Sequence, residues 1–397
     1  MQFAKRLQYL QGNVFADMDR AKARAKEAGK TIIDLSLGSS DLPASSQVIE
    51  AIEESLHDSS THGYLLFHGT QDFRQAAAKS YTAKYGIPVD PETEVLSLIG
   101  CQEGTAHLPL AILNPGDFAL LLDPGYPSHA GGVHLAGGQI YPMPLLAENQ
   151  FLPVFEDIPQ AVLAQAKLMI LSYPHNPTSA LAPLTFFQQA VAFCQEHGLV
   201  LVHDFPYADI VFTEDKSKNS FAPSIFQADI HKQVSIEFFT FSKSYNMGGF
   251  RIGYAIGNAQ LIAALRQVKT VIDFNQYRGI LRGAIAALNS SGEIIDSTVA
   301  TFNQRRESFV NALHRIGWQV PMPKATMYIW AKLPEPWQND SIGFCTQLVE
   351  KTGVAAAPGA GFGKAGEGYV RFALVRDSII LETAVDKMAE FLPSLHT

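Results

Sequence analysis

Apolar residues run in short, nearly unbroken blocks at 95–99, 118–122, 167–171, 199–202 and 236–241. Blocks without polar alternation predict strands buried on both faces, the habit of parallel sheets covered by helices. Between them the period changes. Ile49, Ile52 and Leu56 recur at three and four residues, and Phe73, Ala77, Tyr81 and Tyr85 at four, which predicts amphipathic helices. Residues 185–198 read as a further helix closed by a glycine. This alternation predicts an α/β protein whose large domain holds a mostly parallel sheet sandwiched by helices. Past residue 294 the alternation lapses. A long helix over 294–316, strands at 327–330, 354–356 and 369–374, and a closing helix over 378–391 predict a smaller α+β domain. The expected organisation is a large domain over 46–294 and a small one over 295–397. The N-terminal segment 1–45 joins the small domain, which is therefore discontinuous.

The chain has 397 residues, long enough to bury a large core without disulfide or metal staples. Thirty Lys and Arg against 38 Asp and Glu leave a net charge of −8, which disfavours a nucleic-acid partner. The most basic stretch, 20–30, reads as a solvated helix face rather than a phosphate contact. Three cysteines, Cys101, Cys194 and Cys345, form no paired spacing, which speaks against a disulfide framework or a zinc site and for a reducing compartment. No signal-peptide pattern opens the chain, and no apolar run of about 18 residues interrupts it. A cytoplasmic protein without a membrane partner is expected.

In open parallel sheets, ligands bind beyond the carboxyl ends of the strands. After 95–99, Gly100-Cys101-Gln102 opens a helix, either a plain turn or an anion cradle of free N–H groups. After 118–122 comes Tyr126, in a rigid turn or as an aromatic plate. Asn176 follows 167–171 between two prolines, its amide direction restricted, or in a simple loop. Asp204, three residues before Tyr207, ends 199–202 as a helix cap or as a ligand-orienting acid. Lys243 ends 236–241, and a lysine there is costly unless paired or chemically employed.

Asn176, the Asp204/Tyr207 pair, Lys243 and Arg251 follow successive strands of one sheet, with Arg251 eight residues after Lys243. In this set, and in LSLGSSDLP (35–43), YPHNPT (173–178), DFPY (204–207), SKSYNMGGFRIGY (242–254) and PGAGFGKAGEGYVRFAL (358–374), the chain resembles the class I/II aminotransferases of fold type I. The resemblance implies pyridoxal 5′-phosphate as cofactor. It implies Lys243 as the Schiff-base lysine, Asp204 as partner of the pyridine nitrogen, and Tyr207 and Asn176 as donors to the phenolic oxygen. Tyr126 would stack on the ring. Arg251, Ser242, Thr240 and the backbone of Cys101 and Gln102 would hold the phosphate. Tyr64, five residues before Gly69, would reach the phosphate of a neighbouring subunit, so a homodimer is implied. Arg371 and Asn176 would grip the substrate carboxylate, with Gly38 bordering it.

Within the family, GCQEGTAHLPLAILNPGD and ATMYIWAKLPEP are most similar to the LL-diaminopimelate aminotransferase branch. Three departures stand out: Cys101-Gln102 for Ser-Lys, Ser179 for the glycine of NPTG, and the segment 271–279. The resemblance implies transamination between an L-amino acid and a 2-oxo acid, with 2-oxoglutarate the expected acceptor. Arg278 and Arg282 are candidates to read a distal carboxylate. A same-fold C–S lyase or decarboxylase is the alternative. A non-catalytic cofactor-binding regulator is more remote, because about 45 residues ahead of the large domain leave little room for a DNA-binding module.

Overall fold

Seven strands build the central layer of the computed structural model, which describes residues 1, 3–10, 14–213, 221–290 and 292–392. A two-residue strand, β1 (Ile33–Asp34), precedes them. The sheet then takes β2 (Val95–Leu98), β3 (Phe118–Asp123), β4 (Gln139–Pro144), β5 (Ala166–Leu171), β6 (Val200–Asp204), β7 (Ser235–Thr240) and β8 (Gly253–Gly257). Their order across the sheet is β2-β8-β7-β6-β5-β3-β4. Strands β3 to β7 pair in parallel, whereas β8 lies antiparallel between β2 and β7. The predicted mostly parallel sheet is thus present. Two of its strands have no apolar block to announce them. Gln139–Pro144 is an edge strand with two prolines and mostly solvent-facing positions, and Gly253–Gly257 is built largely of small residues.

Helices cover both faces. Cys101–Ile112 packs with Pro127–Ala136 and with Ala259–Ile272, while Gln71–Tyr85 packs against Arg278–Leu288. The helix Leu184–His197 ends at Gly198, whose φ of +65° lets the chain reverse. Among the described residues, no helix is long and apolar enough to cross a membrane.

A second core lies beyond the sheet. It joins Met18, Ala21 and Leu35 from the N-terminal segment to Phe302, Phe309 and Leu313 of the helix Glu293–Arg315. Strand β9 (Tyr328–Lys332) opens a small antiparallel sheet. After β10 (Val354–Ala355), which pairs in parallel with β1, the chain adds β11 (Ala357–Pro358) and β12 (Tyr369–Ala373), in the order β11-β12-β9. Tyr207 and Ile210, from the end of β6, pack into this second core, so the two regions meet at the carboxyl end of the central sheet.

Candidate active site

Asp204 is the last residue of β6 and only 3% exposed. His129, on the helix Pro127–Ala136, stands 2.9 Å from its Oδ2 through Nε2. The other oxygen, Oδ1, is buried without a hydrogen-bond partner among the described residues. Behind this pair, His175 is pushed down to about 3 by burial and by the neighbouring His129, so it stays neutral. The Cys101 thiol also lies near Asp204. Burial first, and then that carboxylate, push it well above its ordinary value, against the pull of Lys243 and Arg251. Cys101 is thus an uncharged neighbour rather than a nucleophile.

Glycines shape the turn that receives the first strand. Gly100 has φ +79°, and a Cβ there would stand 2.8 Å from Arg251 Nη2. A Cβ on Gly253 would approach the Cys101 backbone nitrogen to 2.9 Å. These two positions therefore keep the guanidinium of Arg251 beside the N-terminus of Cys101–Ile112, a basic cradle for an anion. Beneath it, Glu103 accepts the Ile99 N–H at 2.5 Å and binds Lys269 at 2.8 Å, which neutralises the acid while fixing the turn. Thr240 and Ser242 are joined by their hydroxyls at 2.9 Å. Tyr126 points its hydroxyl at Gln102 Oε1, 3.5 Å away, and sets its ring edge-on to His129.

Lys243 Nζ donates to Gly38 O at 2.5 Å, tying the lysine to the N-terminal segment. Arg371 is 5% exposed; its Nη1 donates to Asn176 Oδ1 at 2.8 Å and its Nη2 to Ser36 O at 2.6 Å. Its Nε is buried without a hydrogen-bond partner among the described residues. The Asn176 oxygen is thus committed to the arginine, and its NH2 is the group left to meet a ligand. Asp34 holds Ser36 through backbone N–H and hydroxyl, at 2.9 and 2.6 Å, and pairs with Lys22. Burial alone would raise the Asp34 pKa, yet these Ser36 and Lys22 contacts hold it below the ordinary carboxylate range. The carboxylate is therefore charged across neutral pH and keeps the carbonyl of Ser36 in place for Arg371.

Most residues singled out from the sequence thus gather where the two cores meet. Tyr64 does not: it stands 94% exposed, outside the cluster this chain forms. Arg282 pairs with Asp58 at 2.8 Å, and the Arg278 guanidinium lies beside Gly69. Neither contact involves the cluster. His129, Ser36 and Tyr328 are further site neighbours; Ser36 and Tyr328 lie within the LSLGSSDLP and ATMYIWAKLPEP segments, where no pattern assigns them a role. Tyr328 bonds its hydroxyl to that of Tyr207 at 2.7 Å.

Ser179 explains one departure from the NPTG motif. Its φ is +61°, a conformation natural to glycine, but its hydroxyl reaches Thr326 Oγ1 at 2.6 Å and Tyr328 O at 2.9 Å. The bonds offset the backbone cost, about 1 kcal/mol, and tie the Asn176 loop to β9. Ser179→Ala keeps the strain and loses both bonds, so a loss of about 2 kcal/mol in urea unfolding is expected. Ser179→Gly should recover about 1 kcal/mol of that loss, because glycine is at ease at this φ. Equal stabilities for the two variants would contradict this account.

The family profile described as aminotransferase class I and II matches residues 30–387. An LL-diaminopimelate aminotransferase of Dehalococcoides mccartyi is 41% identical over 392 residues, 98% of this chain and 99% of the relative. One from Moorella thermoacetica is 40% identical over 99% of both chains. A solved structure of a probable N-succinyldiaminopimelate aminotransferase from Thermus thermophilus superposes with a TM-score of 0.89 at 41% identity, covering 95% of this chain and 99% of that one. Substrate-bound BacF from Bacillus subtilis gives 0.93 at 34% identity, with 98% of each chain covered. With its mostly parallel sheet, a family match over most of its length and relatives about 40% identical, the chain belongs to the class I and II aminotransferases and is a transaminase.

Proposed function

We propose that the protein moves the amino group of an L-amino acid to 2-oxoglutarate on pyridoxal 5′-phosphate, with LL-diaminopimelate as its donor. The observation that carries the reading is a pair of buried polar atoms without hydrogen-bond partners among the described residues, Asp204 Oδ1 and Arg371 Nε, in the cluster around Lys243. A buried acid oxygen suits a protonated ring nitrogen, and a buried guanidinium edge suits a carboxylate. The phosphate suits the glycine-shaped cradle of Arg251, Ser242, Thr240 and the backbone of Cys101 and Gln102. The donor is supported by the names of the 41% and 40% identical relatives.

When bound, the cofactor supplies an electrophilic aldehyde carbon and a ring that accepts electrons. This chain's residues do the rest. Asp204, backed by His129, holds the proton on the ring nitrogen. Tyr207 and the Asn176 NH2 donate to the phenolic oxygen, and Tyr126 covers the ring face. Arg371 grips the carboxylate of the amino acid and Gly38 borders it. Lys243 Nζ would anchor the cofactor and, as a free amine, would take the proton from the donor's Cα.

Tyr64 and the exposed apolar residues Leu66, Val271 and Phe274 support a homodimer in which Tyr64 serves the neighbouring site. The second core supports a small domain made of 1–45 and 295–397, facing a large domain over 46–294.

An amino-donor panel with 2-oxoglutarate tests the function. LL-diaminopimelate should yield glutamate with kcat/KM at least about tenfold above aspartate, alanine and aromatic donors, the discrimination that a few polar contacts to a distal group supply. Preference for another donor would overturn the substrate. Pyruvate and ammonia without glutamate would place the protein among the lyases. Borohydride reduction should fix the cofactor on Lys243, and labelling elsewhere would overturn the site.

A further inference from the structure

Tyr328 enters the site from β9 and is 1% exposed. Three site residues converge on it. Its hydroxyl meets that of Tyr207, the two rings standing edge to face with centroids 5.6 Å apart. Its ring face carries the Arg371 guanidinium, 4.3 Å from the centroid. A Cβ on Gly38, whose carbonyl holds Lys243, would collide with the Tyr328 hydroxyl. The strand is pinned from behind by the Ser179 hydroxyl on Tyr328 O and by Tyr328 N–H on Thr326 Oγ1, at 2.9 and 3.2 Å.

Phenylalanine would fill this space equally well, so the hydroxyl needs a reason. A buried hydroxyl is tolerated only with a partner, and here the partner is Tyr207. Burial alone would raise the pKa of Tyr328, but Lys243 and Arg371 outweigh it and draw the phenol below its ordinary value. Burial drives Tyr207 the other way, well above its ordinary value. Either hydroxyl could donate across this contact, and the more acidic phenol is the better donor: Tyr328 donates, the Tyr207 oxygen accepts, and the single proton of Tyr207 is left for a ligand. The ring contact has a separate consequence. A guanidinium lying on an aromatic face is held in one plane, with its donor edge directed along that plane.

We propose that Tyr328 is a positioning residue with two separable tasks: its hydroxyl aims the Tyr207 O–H, and its ring holds Arg371 in the plane that receives the substrate carboxylate. The assignment rests on the transaminase reading of the site. Two variants of the holoenzyme separate the tasks. Tyr328→Phe keeps the ring and should lower kcat about tenfold, with KM for the amino donor within about threefold of wild type. It should also shift the visible absorption band of the bound cofactor. Tyr328→Leu removes both features and should further weaken binding of glutarate, followed through that same band, by about tenfold, while Tyr328→Phe binds glutarate as wild type does. A Phe variant with wild-type kcat and band would overturn the task of the hydroxyl. A Leu variant that binds glutarate as wild type does would overturn that of the ring. Wild-type protein that takes up no pyridoxal phosphate would overturn the reading of the site and this assignment with it. A working wild-type transaminase with indifferent variants would overturn this assignment alone.

Discussion

Lys243→Ala should lower turnover by roughly 10²–10⁴-fold, the range that loss of a general base produces. The residue sits just past β7 in the Ser242-Lys243-Ser244 turn, where, among the described residues, its Nζ makes one hydrogen bond, to Gly38 O. Truncation therefore removes little from the fold. The anion cradle is built by Arg251, Gly100 and the N-terminus of Cys101–Ile112, which the substitution does not touch. Cofactor uptake by equilibrium dialysis should consequently persist while single-turnover rates collapse. Turnover within tenfold of wild type would remove the lysine from its role.

Arg371→Lys should cut kcat/KM for the amino donor by roughly 10²-fold, most of it in KM, because charge-assisted bonds of about 1.5–3 kcal/mol each are lost. The guanidinium does three things at once. It holds the Asn176 amide, takes the Ser36 carbonyl, and keeps Nε for a ligand. An ammonium has the charge but no planar fork, so it cannot hold both protein oxygens and still offer a flat edge to a carboxylate. Steady-state kinetics with varied donor measure the loss. A KM unchanged within twofold would take Arg371 out of carboxylate binding.

Much of the central sheet was legible along the chain because a strand buried on both faces leaves a continuous apolar block. Asn176, Asp204 and Lys243 were legible for a related reason: each stands just past such a block, and parallel strands bring their carboxyl ends to one side. Strand β4 escaped that logic because an edge strand is half solvated and tolerates Pro142 and Pro144. Strand β8 escaped because Gly253, Ala255 and Gly257 give small residues in place of an apolar block. Ser179 was visible only as a departure from a motif. Its positive φ and its hydroxyl partners supply the reason.

Periodicity is a local property, and it carried several of the helices, most of the strands and the places where chemistry gathers, but not the helices Pro127–Ala136, Ala259–Ile272, Arg278–Leu288 and Ser341–Thr352. The meeting of Arg371 with Asn176 spans 195 residues, and that of Tyr207 with Tyr328 spans 121. No local period relates positions so far apart. Which phenol faces which and which edge of the guanidinium stays open depend on how the second core packs against the sheet, and Arg282 turns to Asp58 because the helices Ser46–His57 and Arg278–Leu288 pack together. Close packing admits one such arrangement of side chains, and that selection happens only in three dimensions.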